Sequence, residues 1–128
     1  MITCISDEVV RAAIFFLKEL LPVDKIPDLD IEFYEMHTLK GWCSCDSDGE
    51  FELCLDSMMD HEIMLVTLAH ECVHIKQYVL GELVDYPTPM WKSQLWPEDK
   101  LDDYDNLPWE REAYDLEIVL YDKYLKYK

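Results

Sequence analysis

Apolar positions change their period along this chain, and the changes mark its elements. Val9, Val10, Ala13, Ile14, Leu17, Leu20 and Leu21 recur at three and four, the spacing of one helix face. Ser6 stands before them as an N-cap and Pro22 stops them, so a packing helix is expected from about Asp7 to Leu21. Pro22 to Asp30, with its two prolines, reads as a linker. The period then shortens to two. Ile31–Met36, Gly41–Cys45 and Phe51–Leu55 read as strands, and Asp46-Ser47-Asp48-Gly49 has the chemistry of a hairpin turn between the last two. Phe51, Leu53 and Leu55 share one face, with Glu52 and Cys54 on the other.

A helical period returns after Ser57, the expected cap, and apolar residues run from Ile63 to Val79 before Gly81 supplies a stop. This predicts a long, mostly buried helix over about Met58 to Leu80. From Gly81 to Leu107 the chain is rich in Pro, Trp, Tyr and acids, including Tyr86, Pro87, Trp91, Trp96, Pro97 and Tyr104. A connection that long is a lid, a groove wall or a cover folded back on the core. Pro108 then opens a last helix whose buried stripe is Trp109, Ala113, Leu116, Leu120 and Tyr124. A helix, a small sheet and two further helices make the fold class α+β. No internal repeat is visible.

Composition narrows what such a fold can do. The chain has 128 residues and is half apolar, which suits a single domain, 1–128, around one core. Its 28 acids against 11 Lys and Arg give a net charge of −17. That repels phosphates and argues against nucleic acid, whereas a basic peptide or protein surface is attracted. The N-terminus has no cationic leader and no apolar run of membrane length is present. Five cysteines, an odd number, read as reduced thiols, so a cytoplasmic location is expected.

The chemistry concentrates in the long helix, at His70-Glu71-Cys72-Val73-His74. On a helix, His70 and His74 lie about one turn apart on one face, where two imidazoles can share one metal ion, expected to be Zn²⁺. Glu71 projects beside them as a general base for a metal-activated water. A catalytic site needs a third protein ligand and an open position. His61 precedes His70 by about two and a half turns and faces away. His37 sits at a strand end and reads as a surface histidine. The H-E-x-x-H-x-x-G-x-x-H continuation is absent, since Gln77 and Leu80 occupy its Gly and His positions. Asp85, Asp99, Asp102, Asp103 and Asp105 lie in the long connection, but a carboxylate on a rigid helix is the better candidate. Glu110 and Glu112 flank the buried stripe of the last helix on opposite sides, and periodicity does not choose between them.

Other constellations are weaker. Cys43, Cys45, Cys54 and Cys72 form no C-x-x-C knuckle and read as small buried thiols, Cys72 facing the core. The acidic run Glu98–Asp105 lacks the order of a calcium loop and reads as solvated surface.

An H-E-x-x-H helix followed by a second helix bearing Glu resembles the gluzincin branch of the zincin metallopeptidases. Ligand helices there often read E-x-x-A, and Glu110-Arg111-Glu112-Ala113 fits with Glu110 as ligand; Tyr114 stands where many of those families carry an acid. The likeness is specific over Thr67–Tyr78 and Leu107–Tyr114. It implies a minimal, single-domain zincin: an N-terminal helix, a small, mostly antiparallel sheet, the H-E-x-x-H helix, a long loop and a C-terminal ligand helix. It further implies one Zn²⁺ on His70, His74 and Glu110, a peptide or protein substrate and Glu71 as general base. Tyr114 or Tyr104 would steady the oxyanion. Phe51–Leu55 is expected to be the sheet edge along which a peptide lies. The rival expectation is a non-catalytic protein of the same fold, with a structural zinc and an acidic binding or inhibitory surface.

Overall fold

Helix α1 (Asp7–Leu20) begins where the sequence places it, because the Ser6 side chain accepts a hydrogen bond from the Val9 amide. It packs Val9, Ala12, Ala13, Phe16 and Leu17 into the core. The computed structural model describes all residues except 47, 86–87, 97–100 and 102, so Ser47, Tyr86, Pro87, Pro97, Asp99 and Asp102 lie outside the described residues. The architecture is α+β. Its main sheet holds β1 (Ile2–Thr3), β2 (Leu29–Tyr34), β3 (Gly41–Cys45) and β4 (Phe51–Asp56) in the order β1-β2-β4-β3.

This sheet is mixed, which corrects the expectation of a mostly antiparallel one. β1 and β2 are parallel, with α1 as their crossover, and β2 and β4 are parallel from Leu29↔Phe51 to Tyr34↔Asp56. Only the β3–β4 hairpin is antiparallel. After β2 the chain passes the end of β4 and places β3 outside it, so the hairpin returns β4 in the direction of β2. Alternation fixes which face a strand buries and is silent on its direction. The expected edge is corrected too: β4 is interior, and β3 and β1 are the outer strands. The Asp46 carboxylate, accepting from the amides of Asp48 and Glu50, closes the hairpin.

Helix α2 (His61–Val79) runs through the centre, with most residues from Leu65 to Ile75 buried. It starts later than Met58, and Ser57 is not its cap. The Asp56 carboxylate accepts from the amides of Met36 and Met58, while the Ser57 amide donates to the Tyr34 carbonyl. That side-chain turn holds 57–60 outside the helix and leaves Asp60 at the N-cap position. Gly81, at φ +73°, ends the helix as expected. Helix α3 (Pro108–Tyr127) lies against α2 and buries Trp109, Ala113, Leu120 and Tyr124 of the expected stripe. Among the described residues no helix is long and apolar enough to cross a membrane.

Part of the long connection folds into a small antiparallel sheet of β5 (Leu83–Val84), β6 (Met90–Trp91) and β7 (Gln94–Leu95). Lys92 and Ser93 take positive φ in the two-residue turn. Leu83, Leu107 and Trp109 form a second apolar cluster, with Trp91 and Trp96 packed on it. The tryptophans therefore serve as a cover. Tyr104 instead reaches the cleft described below.

Gly41 brings β3 close to α2. A Cβ there would stand 2.9 Å from the Cys54 carbonyl oxygen and 3.0 Å from the Thr67 methyl. Gly41→Ala should therefore destabilise the fold by about 1–3 kcal/mol, the usual scale of overpacking, read as a lowered denaturation midpoint.

Candidate metal centre

The two histidines point out of α2 toward α3, and one carboxylate of α3 meets both. Glu110 Oε1 lies 3.1 Å from His70 Nε2 and 3.3 Å from His74 Nε2, and Oε2 lies 3.2 Å from His74 Nε2. All three residues are buried. Glu112 goes elsewhere. Its carboxylate accepts from Lys76 and from Gln77, each at 3.0 Å. The structure thus brings Glu110, and not Glu112, to the histidine pair.

The other ring nitrogens are held as well. His70 Nδ1 is 2.8 Å from Glu117, an acceptor when ionised, so that nitrogen carries a hydrogen. His74 Nδ1 is 2.8 Å from Gln77 Oε1. The fully buried Gln77 is oriented by its own amide nitrogen, which donates to the Trp109 carbonyl and to Glu112. Its oxygen must therefore face His74 and accept. With both Nδ1–H groups engaged, each neutral ring turns an Nε2 lone pair toward Glu110. Two lone pairs and a carboxylate converging on one space need protons or a cation between them.

The donor set fits a metal ion. Separations of 3.1–3.3 Å match the roughly 3.3 Å edge of a tetrahedron with bonds of about 2.0–2.1 Å, the usual zinc–nitrogen length. Histidine ligands characteristically donate their second N–H to a carboxylate or carbonyl, as both do here. His70, Glu71 and His74 also offer ligand atoms within 4.8 Å of one another. Glu71 belongs to that group by proximity, but Glu110 is the residue that touches both rings.

Without a metal, protons fill the space. Burial pushes His70 toward its neutral form, but hydrogen bonds with Glu110 and Glu117 outweigh it and raise its pKa to about 9. His74 is raised in the same way, against burial, by Glu110. Burial opposes ionisation of Glu110, yet the two histidines hold its pKa down at about 2. A metal must displace the protons held on His70, below about pH 9, and on His74. Metal affinity should therefore rise with pH, by about tenfold per unit for each displaced proton, and level off above the raised pKa values. Calorimetry in buffers of different ionisation enthalpy should show proton release near neutral pH; an affinity independent of pH would contradict this.

Glu71 borders the same cleft, with Gly41, Trp42 and Cys43 of β3 on the opposite wall and His74 and Glu110 beside it, around a cavity of about 190 Å³. Burial raises its pKa above the ordinary carboxylate range, partly countered by the charges of His74 and His70. Tyr114 places its ring 4.9 Å from that of His70 while its hydroxyl donates to Asp105 at 3.4 Å. Tyr104 lines the cleft together with Glu71 and Glu110. Of the described loop acids, Asp85 accepts from Tyr78, Asp103 from Asn106 and Asp105 from Tyr114. His61 pairs with Glu8 of α1, and His37 is exposed.

No cysteine is in a disulfide. Cys43 pairs with Leu53 and Trp42 with Cys54, so Cys43 and Cys54 sit on opposite faces of the sheet. Burial pushes the Cys54 thiol up to about 11, and raises Cys72 further. Two residues of the centre carry no motif of their own, Gln77 and Glu117. Glu117 lies two turns beyond Glu110 on the same face of α3, and that spacing is the signal that finds it. Comparison with protein-family models, curated proteins and solved structures gives no match.

Proposed function

We propose that this chain is a zinc-dependent peptidase of minimal zincin type, in which His70, His74 and Glu110 hold one Zn²⁺. The observation that carries the reading is the convergence of both Nε2 atoms on Glu110, with both Nδ1 atoms tied back, next to the buried carboxylate of Glu71. A divalent cation in such a place supplies Lewis acidity toward a peptide carbonyl and acidifies water. Glu71 would accept a proton from a water in the cleft and pass it to the departing amine nitrogen, a task its raised pKa suits. Glu117 and Gln77 keep the two imidazoles in register. Tyr104, which lines the cleft with Glu71 and Glu110, is better placed to donate to the oxyanion than Tyr114, whose hydroxyl donates to Asp105.

The substrate chain lies along β3. It is an outer strand with Gly41, Trp42 and Cys43 lining the cleft, and backbone pairing with Gly41–Cys45 would add an extended peptide to the sheet beside Glu71. An ion serving only as a fastener is usually closed off by a fourth protein ligand. An open cleft with Glu71 on its wall favours catalysis over that role. The test is cleavage of an unfolded protein by zinc-loaded protein, its loss on chelation and its return with zinc. Full zinc loading with no cleavage of any unfolded protein would sink the peptidase reading.

A further inference from the structure

Beside His70 and Glu71 the cleft widens into a chamber of about 470 Å³, well within the range of small-ligand pockets. Its apolar walls come from three parts of the fold: Leu39 ahead of β3, Ile63 and Val66 on α2, and Ile118 on α3. Three carboxylates among the described residues line the same space, the third being Glu71 of the proposed centre. Glu62 is exposed, and Glu117 is mostly buried and bound through one oxygen to His70. Lys40 is the one Lys or Arg among the described lining residues.

This combination discriminates among side chains. An acidic residue would meet Glu62 and Glu117 at close range and lose. An aliphatic one would cover Ile63, Val66 and Ile118 but strip water from a carboxylate with nothing in exchange. A lysine or arginine can do both, laying its methylene stem on the apolar wall and bringing its charged end to a carboxylate. The field of a chain carrying −17 also raises the local concentration of basic peptides. We infer that this chamber selects a lysine or arginine side chain beside the bond to be cut, with Glu62 as the specificity-determining carboxylate. The inference rests on the peptidase reading above.

The test uses alanine-rich decapeptides with one variable residue, Arg, Lys, Leu, Phe, Ala or Glu. Binding is measured to the zinc-loaded Glu71→Gln protein, and cleavage positions with wild type by mass spectrometry. Arg and Lys should be preferred over Leu by about tenfold, and over Glu by more, always on the same side of the cut. Glu62→Lys should erase that preference with zinc content unchanged. Leu or Phe matching Arg, or a preference that survives Glu62→Lys, overturns the inference while leaving the peptidase reading intact. If no peptide is bound or cleaved by zinc-loaded protein, both fall.

Discussion

Glu71→Gln should abolish peptide cleavage, lowering the rate by about a hundred- to ten-thousand-fold, while the protein still folds and still holds zinc. Glutamine has nearly the shape of glutamate, so the buried position between α2 and β3 stays filled. What it lacks is a carboxylate that can take a proton. The contacts that assemble the proposed metal centre run from His70 and His74 to Glu110, so metal content should match wild type in elemental analysis. Unchanged turnover in Glu71→Gln would remove the proposed general base.

Glu110→Ala should lose the metal, because two imidazoles alone leave the ion without the carboxylate that both of them face. The drop in affinity should exceed the roughly 10–100-fold typical of residues that only orient a ligand. Glu117→Ala should fall within that smaller range, since it frees His70 Nδ1 without removing a donor atom. Glu112→Ala should retain stoichiometric zinc, its carboxylate being spent on Lys76 and Gln77. Competitive titration against a zinc chelator ranks the three. Zinc kept by Glu110→Ala and lost from Glu112→Ala would reverse the ligand assignment.

Local physics makes much of this legible in the sequence. α1 follows from its three-and-four spacing and the Ser6 cap, the β3–β4 hairpin from Asp46 and Gly49, and the end of α2 from Gly81. Non-local features were not legible. The parallel pairing of β2 with β4 depends on which side of β4 the hairpin places β3, and the alternation of Phe51, Leu53 and Leu55 is the same either way. β1 is a two-residue strand held by pairing with Leu29 and Asp30, too short for any period to appear. Asp56 outcompetes Ser57 at the start of α2 because its partners, Met36 and Met58, come from both sides of the chain. At the site, the spacing of His70 and His74 marks the pair at once, whereas Glu110 and Glu112 are equivalent by periodicity and are separated only by how α3 rests on α2. Gln77 was visible merely as the wrong residue for another motif. Its role depends on the Trp109 carbonyl, which only the packed helices bring near.

The most direct measurement of the proposed metal centre is the X-ray absorption spectrum of the zinc-loaded protein together with its zinc stoichiometry. One ion per chain is expected, with two imidazoles in the scattering pattern and a first shell of nitrogen and oxygen at about 2.0–2.1 Å. A sulfur shell at about 2.3 Å would move the ion to the cysteines, and a chain that takes up no zinc would rule out the proposed metal centre altogether.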